Sequence, residues 1–311
     1  MQLNGFHHLT AVTADAPRNH AFYTQVLGLR LVKKSVNQDD VSAYHLFYAD
    51  GKGSPGTDIT FFDWPAPRER RGTHSICRTG FRVKGEKAFS YWTDRLTANG
   101  ITLTQPVEKL GRITLDFEDF EGQRLSLVAD ESDTPFEIWD KSSVPAEHQI
   151  HGLGPITLSV PDIAPTELVL TKVMGMTKAA SYKNGHGNTH VYWMKGKGPV
   201  AELHVQEEPG LPPAQQGAGG VHHVAFNVAM ADYTAWAERL RALRVPNSGP
   251  VDRYWFKSLY FREPNGILFE IATDGPGFHA DEPMETLGET LSLPPFLEGR
   301  RAQIEAGLKK L

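Results

Sequence analysis

The chain has 311 residues, 40% hydrophobic and 22% charged, with a formal net charge of −5. That length is enough for two domains with real cores, and an acidic balance without a Lys/Arg cluster argues against a nucleic-acid footprint. No apolar run approaches the ~18 residues of a membrane span, nothing ahead of Phe6 resembles a signal peptide, and the lone Cys77 excludes an intrachain disulfide, so a cytoplasmic protein is expected.

In chain order, a first strand is expected over His8 to Thr13, then a helix from near Pro17 to Gly28, where glycine suits a left-handed cap. Strands follow at Ser42 to Ala49 and Asp58 to Phe62. A second unit opens with Thr79 to Val83 and closes with Ile113 to Glu118 and Leu125 to Ala129. A third opens with Ile156 to Val160 and closes with His190 to Lys195 and Ala201 to Gln206. The fourth opens with Val221 to Val228, continues through Tyr233, Trp236, Leu240 and Leu243 at helical spacing, and closes with Lys257 to Arg262 and Ile267 to Ala272. Glycine with Pro, Glu or Asn punctuates the hairpins at Pro55-Gly56, Glu121-Gly122, Gly198-Pro199 and Asn265-Gly266.

The units repeat. Phe22 to Leu29 resembles Val169 to Met176 at an offset of 147, and Tyr91 to Leu96 resembles Ala235 to Leu240 at an offset of 144. The second half is therefore a diverged copy of the first, and each half holds two βαβββ units. The expected organisation is α+β: residues 1–140 carry two units and 150–275 two more. Segment 131–152 joins the halves, 207–219 is a loop, and a tail over 276–311 ends in a helical stretch from Leu297 to Leu311.

Two histidine pairs stand out, His7-His8 on the first strand and His222-His223 on the opening strand of the fourth unit; Glu270 lies on that unit's last strand. Two imidazoles and one carboxylate are the donor set that leaves one face of a divalent metal open. Successive strand residues face opposite ways, so only one histidine of each pair can be a ligand unless a bulge intervenes.

A βαβββ unit with His on its first strand and Glu on its last resembles the vicinal oxygen chelate superfamily, which includes glyoxalase I, fosfomycin-resistance proteins and extradiol dioxygenases. The chain is most similar to the branch that opens hydroquinone rings, through Leu9-Thr10, Tyr44 to Asp50, Gly53 to Thr57, Gly275 to Phe278 and Asp281-Glu282. The resemblance implies paired units curled into a cup around Fe(II), with Mn(II) as the alternative. It also implies a small aromatic diol and O₂ as substrates, and it selects His8, His223 and Glu270 as ligands. By the repeat, the ligand positions hold Thr79 and Ser126 in the second unit, Pro155 and Glu202 in the third, and Thr60 beside His8 in the first. Units one and four are therefore expected to pair around the metal, and units two and three to form a metal-free buttress in which Glu202 is structural.

The resemblance further places Arg253 and Tyr260 beside the substrate, Arg253 on the oxygen that a para-diol leaves off the metal. Thr10 is expected to contact substrate, and His222 or His7 to handle protons. Phe226, Trp255 and Phe269 are candidates for apolar lining. Two other activities suit the same cup: catechol ring opening, and a glyoxalase-like isomerase or transferase. The latter needs a fourth ligand from the first unit, where only Asp58 lies near Thr60. Membrane association is not expected, and homo-oligomer formation stays open.

Overall fold

The computed structural model describes residues 1–185 and 187–311. Its first module runs β1 (Gly5–Thr13), α1 (Ala16–Ala21), β2 (Arg30–Val36), β3 (Tyr44–Ala49) and β4 (Asp58–Asp63). The second runs β5 (Ser75–Val83), α2 (Lys87–Ala98), β6 (Val107–Lys109), β7 (Arg112–Glu118) and β8 (Arg124–Ala129). The third has β9 (Leu153–Val160), α3 (Ile163–Leu168), β10 (Thr177–Asn184), β11 (Gly187–Trp193) and β12 (Glu202–Glu207). The fourth has β13 (Val221–Val228), α4 (Tyr233–Ala242), β14 (Val251–Asp252), β15 (Lys257–Arg262) and β16 (Leu268–Thr273). Two short helices, α5 (Pro295–Glu298) and α6 (Arg301–Gly307), replace the single helical stretch expected to reach Leu311.

Two eight-stranded sheets result, in the orders β14-β15-β16-β13-β1-β4-β3-β2 and β10-β11-β12-β9-β5-β8-β7-β6. Module one joins module four through the antiparallel pair β1–β13, and module two joins module three through β5–β9. This is the α+β arrangement of paired units that the repeat implies. One face of each strand supplies the core: Leu9, Val224, Phe226, Phe269 and Ile271 from the first sheet, with Trp92 and Trp236 from the helices. The opposite face of β13 carries His223 and Ala225 into the hollow of the sheet, as strand alternation requires.

Two local expectations change. The helices of modules one and three each end in a wide π-type turn, closed by Leu27 N to Phe22 O and Met174 N to Val169 O at 3.0 Å each. Gly28 then takes φ +72, with Val144 Cγ2 only 2.5 Å from where a Cβ would stand. The second strand of each βαβββ unit (β2, β6, β10, β14) had no position in the sequence reading. β14 has two residues and β6 three, too few for alternation to show. β2 reads RLVKKSV, and its buried Lys33 disguises the strand.

Lys33 explains where the tail goes. Its Nζ reaches Asp281 at 2.8 Å, Glu282, and the Phe278 carbonyl at 2.9 Å. Asp281 in turn accepts from Trp255 Nε1 at 2.9 Å. Phe278 and Leu287 pack with Val32, Phe47 and Trp255 in a small cluster inside the sheet. Lys33→Ala would leave two carboxylates facing each other without their cation, at a cost of about 3 kcal/mol. The expected outcome is a lower urea midpoint together with rapid proteolytic cleavage beyond Thr273; a variant with wild-type stability and an uncut tail would refute this role.

Candidate metal centre

The centre is built across adjacent strands of the first sheet. His8 on β1 lies opposite Ala225 on β13; Ala225 pairs with Glu270 on β16, and Glu270 with Tyr260 on β15. Thr10 lies opposite His223. His8 Nε2 lies 3.2 Å from Glu270 Oε2, His223 Nε2 lies 2.9 Å from the same oxygen, and the two nitrogens are 3.3 Å apart. Three donors on one face of an octahedron with bonds of about 2.1 Å are separated by about 3 Å, so the triangle has the size a divalent cation needs. Among the described residues it is the one His/Cys/Asp/Glu group of this kind.

The electrostatics agree. Glu270 is fully buried, and among the described residues neither oxygen has a well-directed hydrogen-bond donor although both imidazoles are close. Burial pushes its carboxyl up, but His8 and His223 outweigh that and hold it well below the usual carboxylate range. A sealed carboxylate facing two imidazole nitrogens has the donor chemistry that a divalent cation takes.

The neighbouring histidines lie behind this triangle. A bulge between Phe6 and His8 in the β1–β13 pairing brings His7 alongside His8 rather than leaving it on the far face. His7 Nδ1 is 2.8 Å from His8 Nδ1, and His7 Nε2 is 3.1 Å from the Thr273 carbonyl. A carbonyl only accepts, so the His7 proton is on Nε2 and its Nδ1 is an acceptor. His8 must then donate from Nδ1, which leaves the Nε2 lone pair facing Glu270. His222 stands in the same relation to His223, Nδ1 to Nδ1 at 2.7 Å. Burial, then the neighbouring histidine, lowers His7 and His222 to about 3 each, so both are neutral at pH 7.

A cavity of about 40 Å³ opens over His8 and His223. Of the residues expected around substrate, Arg253 and Tyr260 line it, with Arg253 Nε donating to the Tyr260 hydroxyl at 3.2 Å and Arg253 Nη2 paired to Asp39 at 2.9 Å. His7, His222 and Thr10 do not line it. Thr10 Oγ1 lies 3.0 Å from His223 Nε2 and 2.8 Å from Thr60 Oγ1, which is 2.9 Å from His45 Nε2. Trp255 is on the wall, whereas Phe226 and Phe269 face the core. The sequence reading missed His45, Phe47, Phe62, Phe256 and the rim residues Asn37 to Asp39. Phe47 pairs with Thr60 as Tyr260 pairs with Glu270, so the repeat held a signal for it.

Register corrects two repeat positions. Gly80 pairs with Ser126 as Ala225 pairs with Glu270, so Arg78, not Thr79, occupies the place of His223. Thr157 pairs with His204 as Thr10 pairs with Thr60, which puts His204 at the position where Glu202 was expected and Glu202 two residues before it. Glu202 is buried and bound by Arg112 at 2.5 Å and by Trp193 Nε1 at 3.1 Å, a structural carboxylate. Asp58 stays outside the metal-sized group, and burial followed by Asp50 pushes its carboxyl well above the usual range.

The model of the Glyoxalase/Bleomycin resistance protein/Dioxygenase superfamily matches residues 5–127 and 152–271. The chain belongs to this superfamily. Superfamily relatives extend over its whole length: MhqA of Bacillus subtilis strain 168, named as a candidate ring-cleaving dioxygenase, is 48% identical over 100% of both chains. The chlorohydroquinone/hydroquinone 1,2-dioxygenase of Sphingobium indicum is 28% identical over 97% of this chain and 95% of its own. A crystal structure of a dioxygenase-named Bacillus subtilis protein superposes with a TM-score of 0.91 at 35% identity, covering 99% of this chain and 97% of that one. Glyoxalase I of Zea mays shares the fold, with a TM-score of 0.64 at 16% identity over 87% and 92%.

His7→Phe keeps a ring in place but removes the acceptor for His8 Nδ1, and metal affinity should fall about tenfold to a hundredfold in chelator competition; unchanged affinity would remove the orienting role. Acid stability of the metal-free protein tests the burial of the same groups. His7 and His222 sit near 3 in the fold against 6.5 as the ordinary value. The unfolded chain therefore binds a proton at each that the folded chain does not, and stability falls as pH drops from about 6.5 toward 3, by about 1.4 kcal/mol per pH unit per histidine. The slope of urea stability against pH should be shallower in His222→Phe by roughly one proton, and an unaltered slope would contradict it.

Proposed function

We propose that the chain is a ring-cleaving dioxygenase that holds Fe(II) on His8, His223 and Glu270 and opens a para-diol ring with O₂; Mn(II) is the alternative metal. The observation that carries the reading is the triangle of donors around a sealed carboxylate, set in a chain whose full-length relatives are named ring-cleaving dioxygenases. A metal bound there supplies a Lewis acid for a phenolic oxygen and open positions for substrate and O₂ together.

The protein's own residues do the rest. Phe47, Phe62, Trp255 and Phe256 wall the cavity and exclude water from the ring. A para-diol places one oxygen at the metal and the other across the ring, where the Arg253 guanidinium at the rim donates to it. The Tyr260 hydroxyl, already accepting from Arg253, stands on the same side, its ring 5.9 Å from that of His223. His7 fixes the His8 tautomer from behind and His222 abuts His223 Nδ1; neither lines the cavity, so substrate protons are assigned to other groups. His45 is the imidazole on the wall outside the ligand set; burial holds its pKa well below the ordinary value, so it is neutral at neutral pH and faces the substrate as a hydrogen-bonding group. The isomerase reading is disfavoured because Thr60 bonds Thr10 and His45 and Asp58 lies outside the metal-sized group.

The test is O₂ uptake by protein purified anaerobically, loaded with Fe(II), and given hydroquinone, methylhydroquinone, chlorohydroquinone or catechol. Stoichiometric uptake with the para-diols, abolished in His223→Ala, is expected. Arg253→Met should raise KM for the para-diols about tenfold, the value of one charge-assisted hydrogen bond, and change catechol less. Uptake with catechol alone would overturn the substrate assignment, and no uptake with metal bound would overturn the activity.

A further inference from the structure

The second sheet keeps the hollow and replaces the metal ligands. By pairing register, Pro155 stands where His8 does, Arg78 where His223 does and Ser126 where Glu270 does. The flanking pair is replaced in kind: Lys109 and Asp116 correspond to Arg253 and Tyr260, and they touch each other at 3.0 Å as Arg253 and Tyr260 touch at 3.2 Å. A fixed guanidinium has taken the place of an imidazole that would hold a dication.

This hollow is a cavity of about 80 Å³. Arg78, Lys109 and Arg112 line it, together with His204, which burial holds below its ordinary pKa, neutral polar groups such as Ser126 and Thr157, and Val128 and Pro155 as apolar ones. Among the described residues, two carboxylates are bound to its cations. Asp116 accepts from Ser126 at 2.6 Å and from Lys109, with Arg78 Nη1 at 3.4 Å, and Glu202 is taken by Arg112. Three cations against two carboxylates leave a surplus of one. Donors are also in surplus: the buried Arg112 Nε has no acceptor among the described residues. The Arg78 side chain is 29% exposed, so its guanidinium is reachable from solvent.

We propose that this metal-free cup is a binding site for a small organic monocarboxylate, its carboxylate taken by the Arg78 guanidinium and its carbon skeleton seated against Val128 and Pro155. A single surplus charge matches a monoanion, and a planar guanidinium matches a carboxylate. The site is independent of the chemistry in the first cup.

Metal-free full-length protein titrated calorimetrically with acetate and with benzoate, in a chloride-poor buffer free of carboxylates, tests it. One-to-one binding of at least one probe with a millimolar or tighter Kd is expected. Arg78→Met should weaken it at least tenfold, and Val128→Phe, which fills the cavity and leaves every charge, should abolish it. Arg253→Met, in the other cup, should leave Kd within twofold. No binding at tens of millimolar, tighter binding of inorganic phosphate than of either carboxylate, or loss of binding in Arg253→Met would overturn the proposal. If Arg78→Met does not fold, a crystal structure of the native protein with benzoate decides: the carboxylate on Arg78 supports the site, and a probe seated elsewhere refutes it.

Discussion

A fully buried carboxylate without a directed donor is the constraint on which the active cup depends. Burying an isolated anion costs several kcal/mol unless something compensates, and around Glu270 the compensating groups are two neutral-capable imidazoles rather than a lysine or arginine. Such a site is poorly satisfied by protein alone and well satisfied by a dication. Much of the surrounding structure serves to keep that triangle in place: β1 against β13, β13 against β16, His7, which hands His8 its tautomer, and His222 against the Nδ1 of His223.

Duplication explains how one chain contains both a metal-sized triangle and a hollow that lacks one. Pairing module one with module four puts β1 and β13 at the centre of the sheet, where their inward residues meet. The same pairing of modules two and three places Arg78, Pro155 and Ser126 at the corresponding points. A guanidinium beside Asp116 stands there in place of an imidazole, so the second hollow carries cationic side chains of its own where the first has the donors for a dication. The two cups therefore share backbone geometry and differ in electrostatics.

The architecture was legible because it rests on repetition and alternation. Repeat offsets located four units, and the distribution of histidines indicated that one pairs with four. Short or charged strands were not legible: β14 shows no period, and Lys33 looks like a surface residue until Asp281 and Glu282 are brought to it from some 250 positions away. Counting along the repeat also failed: by one residue at Arg78, where the step from β5 into α2 is one residue longer than that from β13 into α4 (Gly80 to Tyr91 against Ala225 to Ala235), and by two at His204, where the turn Pro199–Ala201 lengthens the step from the hairpin glycine to β12. His45 escaped notice because a lone histidine in an apolar strand is usually a core residue; only the β3–β4 pairing sets it beside Thr60 and the cavity.

The bulge in β1 shows why alternation is a sound rule with a functional exception. Perfect alternation would send His7 to the opposite face, away from His8. The irregularity between Phe6 and His8 instead lets two consecutive imidazoles meet nitrogen to nitrogen, in a space closed by Phe256, whose ring lies 5.2 Å from His7 and 5.3 Å from His8. Phe256 follows Trp255, and Trp255 is tied through Asp281 to Lys33 and so to the tail. The tail therefore bears on the metal centre without contributing a ligand: it holds the aromatic wall that confines His7, and His7 determines which nitrogen of His8 is free to bind.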